Sequence, residues 1–152
     1  MEIAIIGGGA AGFMAAITAQ KTDPASKVTI FERAQKVLAK VEITGGGRCN
    51  VTNSFATITD MKQAYPRGDN LMKRLMKIFS YEDTYKWFEK HGVPLVTQDD
   101  ECVFPKAQDA HAVIDCLVRQ AHELGITVCC KHRLTDICQK EDGSFELMFE
   151  KA

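Results

Sequence analysis

The chain has 152 residues, a formal net charge of −1 and 45% hydrophobic residues. This length predicts one domain with enough apolar residues for a core, and the near-neutral charge gives no reason to expect a nucleic acid or an anionic membrane as partner. The uncharged stretch over residues 3–20 is interrupted by glycines and lacks a basic leader. It therefore predicts neither a signal peptide nor a membrane span, and we expect a cytoplasmic protein.

The N-terminus combines a short apolar run with the pattern Gly7-x-Gly9-x-x-Gly12. Residues 3–6 predict a buried strand, and the run after the glycines predicts a helix over residues 10–21. Gly7 allows a tight turn, Gly9 lets a pyrophosphate approach the backbone, and Gly12 lets the helix pack against the strand. N–H groups at the helix start would then face the anion. The alternative is a glycine-rich turn of any α/β protein. The predicted phosphate-binding turn comprises Gly7, Gly9, Ala10, Ala11 and Gly12.

A second apolar run over residues 27–32 predicts a second strand that ends in an acidic residue, Glu32. Glu32 follows Gly12 by twenty positions, the spacing at which a carboxylate accepts hydrogen bonds from ribose hydroxyls and repels a 2′-phosphate. Arg33 either weakens that exclusion slightly or is a solvated surface charge. These features together predict a dinucleotide site.

Three consecutive glycines, Gly45, Gly46 and Gly47, predict a second place where backbone meets a ligand, because they are unfavourable inside a helix or strand. A cation and short polar side chains follow them. The alternative is a polar surface loop. The candidate residues after the glycines are Arg48, Cys49 and Asn50.

Three stretches together, IAIIGGGAAGFMAAI, ITGGGRCNVTN and GVPLVTQDDECVFP, resemble the YhiN/BaiN-like family of FAD-binding oxidoreductases, also known as aminoacetone-oxidase-like flavoproteins. The resemblance implies a Rossmann-like FAD/NAD(P)-binding α/β domain with a parallel βαβ core, additional helices and a β-hairpin. It implies that the first glycine turn holds the FAD pyrophosphate, that Glu32 holds the adenosine ribose, and that the GGGRCN loop lies along the flavin. Lys40 matches a basic residue upstream of that loop, whereas Leu38 replaces a glycine. Phe104 and Pro105 are weaker candidates for lining the flavin site.

Members of this family are much longer than the present sequence. We therefore expect residues 1–152 to be the N-terminal section of an FAD-binding domain, with an inserted second domain and a C-terminal return to the cofactor absent. Such a section alone should be inactive, bind FAD poorly and self-associate.

Three functions remain open on these residues. The first is a flavin-dependent oxidoreductase with a small-molecule substrate and NAD(P)H as a candidate reductant, in which the flavin does the redox chemistry. The second is a non-catalytic dinucleotide-binding or sensing module. The third, an NAD-dependent dehydrogenase, leaves the GGGRCN loop unexplained. No catalytic side chain is identified.

The six cysteines show no C-x-x-C spacing, so neither zinc nor thioredoxin-like chemistry is predicted. Cys116, Cys129 and Cys130 are expected to be small buried hydrophobes. His111 and His122 are expected to be solvated, and no metal site is predicted.

The remaining elements follow from periodicity and capping signals. We expect a helix over 69–79 capped by Asp69 or Asn70, and a second helix that begins with a Ser80–Asp83 capping box and ends at residue 90. The later predicted elements are a hairpin of strands 93–96 and 102–104, a helix over 109–124, a parallel strand over 126–130, and a hairpin of strands 134–139 and 145–149.

Overall fold

A computed structural model describes residues 1–151, which divide into two compact units. The first unit is Met1–Val41 with the chain from Leu117 onward, and the second is Glu42–Cys116. The helices are α1 (Ala10–Thr22), α2 (Ala39–Ile43), α3 (Asp69–Leu75), α4 (Tyr81–Lys90) and α5 (His111–Glu123). The strands are β1 (Glu2–Ile6), β2 (Lys27–Phe31), β3 (Thr52–Asn53), β4 (Leu95–Thr97), β5 (Cys102–Pro105), β6 (Thr127–Cys129), β7 (His132–Gln139) and β8 (Phe145–Lys151).

The first unit contains a parallel sheet in the order β1-β2-β6. Helix α1 packs on β1 and β2, and the apolar residues that fill this layer are fully or nearly fully buried. They are Phe13, Ala16, Ile17, Val28 and Ile30. The predicted Rossmann-like βαβ arrangement and its parallel third strand are confirmed.

The C-terminal hairpin of the first unit, β7 and β8, is also confirmed. Its turn contains Gly143 in a left-handed conformation, with φ of 81°. The Phe149 ring lies 4.5 Å from the Phe31 ring, so the hairpin packs against the end of β2.

The second unit contains an antiparallel sheet in the order β3-β5-β4. The hairpin of β4 and β5 was predicted, and Pro105 stands at its last paired position, opposite Leu95. Strand β3 was not predicted, because two residues in a polar stretch carry no periodic signal.

Helix α4 begins with the predicted capping box. The Ser80 hydroxyl accepts the Asp83 N–H, and the Asp83 carboxylate accepts the Ser80 N–H. The prediction for α3 was wrong about its N-cap and its last residue. Its N-cap is Gly68, with φ of 92°, and the regular helix ends at Leu75. Beyond Leu75 the hydrogen bonds are irregular: the Lys77 and Ile78 amides bond three residues back, whereas the Phe79 amide bonds to Leu75 O, four residues back.

Helix α5 ends as predicted before Gly125, which is left-handed with φ of 70°. Cys116 on this helix is buried as expected. Cys129 and Cys130 are only half-buried, because β6 is an edge strand of its sheet. All six cysteines are free thiols. Among the described residues, no helix has the length and apolar character needed to cross a membrane.

Candidate cofactor-binding site

The turn between β1 and α1 has a backbone geometry that requires glycine at two positions. Gly7 has φ of 103° and donates its N–H to Phe31 O at 2.8 Å. A Cβ on Gly12 would stand 1.9 Å from Gly7 O, so any side chain there would displace the start of the helix from the strand. Gly7 and Gly12 therefore fix the approach of α1 to β1.

The surface beside Gly9 is open, because a Cβ built on this residue meets no atom within 4 Å. Gly9 is the N-cap of α1 and supplies no side-chain cap, and the first helical turn carries no acidic residue. The first amides of a helix have no intrahelical acceptor and carry partial positive charge. This part of the turn therefore fits an anionic group such as the pyrophosphate of FAD. The amides concerned belong to Ala10, Ala11 and Gly12.

Glu32 lies immediately after β2 and binds two backbone amides. Its Oε2 accepts the Gly8 N–H at 2.8 Å and its Oε1 accepts the Ala34 N–H at 2.7 Å. The Ala34 N–H, helped by the Gly8 N–H and the charge of Arg33, lowers the pKa of the carboxyl group although partial burial opposes this shift. Each carboxylate oxygen has a further lone pair, so ribose hydroxyls can still bind.

Gly8 is a residue that sequence reasoning missed. It is buried, its N–H binds Glu32, and its carbonyl accepts the Leu38 N–H at 2.8 Å. A Cβ on Gly8 would stand 2.6 Å from Cγ1 of Val37. Position 8 therefore requires glycine, because Val37 and Glu32 leave no room for a side chain there. The run of three glycines over residues 7–9 was the sequence signal that could have indicated this role.

A cleft of about 210 Å³ lies at the carboxyl end of β1 and β2. Its lining includes the predicted residues Glu32 and Arg33, and it adds two that the sequence did not indicate, His132 and Arg133. Nδ1 of His132 lies 2.7 Å from Cys130 O, so this nitrogen carries a proton and donates it. The cleft is lined by Ile6, Gly7, Phe31, Glu32, Arg33, His132, Arg133 and Leu134.

Lys40 is exposed on α2. Leu38, two residues earlier in the chain, is buried. Leu38 has φ of 57° and its side chain is only 2% exposed. At the position where the resemblance predicted a glycine, this chain has a left-handed backbone and places a leucine side chain in the core. The burial of the side chain offsets the backbone strain.

In the second unit the triple-glycine loop is left-handed throughout, with φ of 57° at Gly45, 68° at Gly46 and 84° at Gly47. A Cβ on Gly45 would stand 2.7 Å from the Phe104 ring, whereas one on Gly46 would meet no atom within 4 Å. Gly45 is therefore required by packing, and Gly46 leaves its surface open.

Arg48 contacts its own loop. The guanidinium group lies 4.2 Å from the Phe104 ring centroid, and its Nε donates to Gly45 O at 3.1 Å. Its Nη1 donates to Oε1 of Gln108 at 3.2 Å. Phe104 and Pro105 are buried, so Phe104 supports the loop from beneath.

Cys49 is 5% exposed and left-handed, with φ of 62°. Burial raises the pKa of its thiol, and a hydrogen bond with the Thr44 side chain opposes this shift. Asn50 beside it is exposed. The arrangement gives Cys49 the character of a packed thiol, without an activated thiolate.

Within the described part of the chain, no three His, Cys, Asp or Glu side chains group as a metal site. His111 and His122 are exposed, as expected. His111 lies 3.0 Å from Asp109 and 3.6 Å from Glu42.

Comparisons with known proteins agree with the Rossmann-like fold. The chain matches the HI0933-like protein Rossmann domain over residues 1–152. It is 31% identical over 116 residues to a 3-dehydro-bile acid delta(4,6)-reductase of Clostridium scindens, an alignment that covers 76% of this chain and 27% of that protein. It is 26% identical over 141 residues to a ribosomal RNA dihydrouridine synthase of Escherichia coli K12, covering 91% of this chain and 33% of that protein.

Among solved structures, a 3-ketosteroid-delta4-(5alpha)-dehydrogenase of Rhodococcus jostii RHA1 superposes with a TM-score of 0.70 at 14% identity, over 99% of this chain and 42% of that one. The chain thus spans 27% and 33% of the two sequence relatives. The family match and the 31% identical relative confirm the resemblance to FAD-binding oxidoreductases and, with it, FAD as the cofactor. The structural likeness confirms the Rossmann-like fold. The roles of individual site residues stay predictions.

Proposed function

The chain belongs to the HI0933-like family, and on that premise we propose that it is the FAD-binding section of a reductase. The observation that carries the proposal is the open, uncapped start of α1 at Gly9 beside the carboxylate of Glu32. An anion-binding helix start next to a ribose acceptor is the arrangement that receives the ADP half of a dinucleotide.

The residues of the first unit hold the adenosine and pyrophosphate. The α1 amides bind the pyrophosphate, and Glu32 accepts ribose hydroxyls through its remaining lone pairs. The family resemblance assigns the loop of Gly45, Gly46 and Gly47 to the flavin half, and Arg48 holds that loop. When bound, FAD supplies the hydride transfer, and the protein supplies orientation and electrostatics.

The names of the two relatives suggest one reaction class. A delta(4,6)-reductase and an enzyme that makes dihydrouridine both have products in which a carbon–carbon double bond has been reduced. We therefore assign the full-length protein to flavin-dependent reduction of a double bond conjugated to a carbonyl group. The net charge of −1 of this section gives no reason to expect a nucleic acid, and a small molecule is the substrate that we propose.

A second candidate is reduction of a uridine base in RNA, which the 26% identity over 91% of the chain favours. The two are separated with the full-length protein, reduced anaerobically by NADH or NADPH. Reoxidation of the flavin by a steroid 4-en-3-one supports the small-molecule substrate, and reoxidation only by uridine-containing RNA supports the second candidate.

A non-catalytic sensing module is the remaining alternative. It would bind the nucleotide without flavin reduction by NAD(P)H, so the absence of bleaching of the flavin absorption bands under anaerobic conditions would favour it.

We place the protein in the cytoplasm, a location consistent with six free thiols. Self-association of the chain stays a prediction, which light scattering on the purified chain tests.

A further inference from the structure

We propose that Glu32 has a second role, as a positioning residue that holds the glycine turn in its binding conformation before a nucleotide arrives. The idea rests on the proposed function, since the turn matters only if it binds a nucleotide. It concerns the ligand-free protein and is separate from any contact of Glu32 with ribose.

The carboxylate joins two backbone segments that are distant in sequence. Oε2 binds Gly8, which lies 24 residues earlier, and Oε1 binds Ala34, two residues later. Both distances, 2.8 and 2.7 Å, are typical of hydrogen bonds to an ionised acceptor. Glu32 therefore ties the glycine turn to the segment that follows β2.

The segment after β2 makes further contacts with Gly8, through Leu38 and Val37. The Gly8 carbonyl accepts the Leu38 N–H, and Val37 packs where a Gly8 side chain would lie. Gly7 donates its N–H to Phe31. Of the hydrogen bonds among these contacts, the one to Glu32 is made by a side chain and can be removed without changing the backbone.

Removal of the carboxylate should leave the buried Gly8 N–H without an acceptor, which is unfavourable. A glutamine at position 32 offers one oxygen to two N–H donors, and its NH₂ group would face the other donor. The turn would then shift, and with it the α1 amides that meet the pyrophosphate. The consequence is that Glu32 controls affinity even for a nucleotide that has no ribose hydroxyls.

The first test needs no variant and no ligand. Amide proton shifts of Gly8 and Ala34 are followed by NMR as the pH of the wild-type protein is lowered. Both shifts should move with one midpoint, which lies below the ordinary range of a glutamate because the carboxyl pKa is lowered. A Gly8 shift that stays constant while Ala34 titrates would overturn the proposal.

The second test compares ADP with 2′,3′-dideoxy-ADP as probes, in calorimetric titrations of the full-length protein as wild type, Glu32→Gln and Glu2→Gln. Glu2 is a matched control, because it lies on β1 and its carboxylate forms an exposed ion pair with Lys27 at 3.7 Å. Glu32→Gln should weaken dideoxy-ADP about tenfold, whereas Glu2→Gln should leave it unchanged.

Three outcomes are distinguishable. Loss of ADP affinity with unchanged dideoxy-ADP affinity in Glu32→Gln would contradict the positioning role and leave only a ribose contact. Loss of both supports it. If wild type binds neither probe, the proposed function fails, and the amide titration still decides whether Glu32 holds the turn.

Discussion

The guanidinium carbon of Arg48 lies 4.2 Å from the centroid of the Phe104 ring, so a cation covers the aromatic side chain on which the triple-glycine loop rests. The same guanidinium donates to Gly45 O, the first glycine of that loop. Arg48 therefore binds the loop through stacking and hydrogen bonding together, and its charge is only part of what it contributes.

Replacement of Arg48 should therefore destabilise the protein. A cation–π contact at a partly exposed site contributes about 0.5–1 kcal/mol, and the two hydrogen bonds add to it, so Arg48→Ala should cost about 1–2 kcal/mol in urea unfolding. Arg48→Lys should restore little, because an ammonium group cannot stack and donate in the same fork. Arg133→Ala is the control, since its ion pair to Glu150 at 3.9 Å is exposed. Full recovery in Arg48→Lys would show that charge alone matters.

The same added methyl group should weaken cofactor binding at Gly9 and destabilise the fold at Gly12. Gly9→Ala enters open space at φ of −87°, so the unfolding free energy should change by about 0.5 kcal/mol or less. FAD affinity should nevertheless fall at least about tenfold, because the methyl group occupies the pyrophosphate surface. Calorimetric titration of the full-length protein with FAD measures it, and an unchanged affinity would contradict this placement of the pyrophosphate.

Gly12→Ala should act on folding. Its Cβ would stand 1.9 Å from Gly7 O, an overlap with backbone that only a shift of α1 can relieve. We expect a loss of about 3 kcal/mol in urea unfolding. A variant as stable as Gly9→Ala would show that the helix start can move freely.

Cys49 should react slowly with thiol reagents. Its pKa is raised by burial, so little thiolate is present near neutral pH, whereas Cys138 is exposed and should be labelled first. Mass spectrometry after timed labelling with iodoacetamide gives the order. Cys49→Ser should also leave reduction of the flavin by a chemical reductant intact. A charge-transfer band that this substitution abolishes would assign Cys49 a redox role.

The contribution of Glu32 to stability should depend on pH. A carboxyl group whose pKa is lowered by folding stabilises the protein above its unfolded pKa, about 4.3, and this stabilisation is lost as the pH falls through the folded value. The difference in unfolding free energy between wild type and Glu32→Gln should therefore be largest near neutral pH and disappear in strong acid. A difference that is constant with pH would contradict an ionised acceptor.

Local signals in the sequence were sufficient for most of the fold. The glycine pattern predicted α1 and its turn, the Ser80–Asp83 box predicted the start of α4, and Gly125 predicted the end of α5. These features act within a few residues of chain, so periodicity and capping chemistry describe them fully. The error at α3 arose because Gly68, a left-handed N-cap, resembles any loop glycine.

The parts of the candidate site that the sequence did not reveal depend on distant contacts. The bond of Gly8 to Glu32 spans 24 residues, and Arg48 meets Gln108 across 60. His132 and Arg133 line the cleft because the chain returns beside β2. Leu38 keeps a left-handed backbone without a glycine, which only its burial explains.

The central claim is that the start of α1 receives the pyrophosphate of the cofactor. Its most direct test is an ADP titration of the ligand-free full-length protein, followed through its amide resonances. The account predicts large shifts at Ala10, Ala11 and Gly12, with Gly143 in the distant hairpin turn unchanged. Saturable binding that leaves these three amides unmoved, or no binding at millimolar ADP, would contradict it.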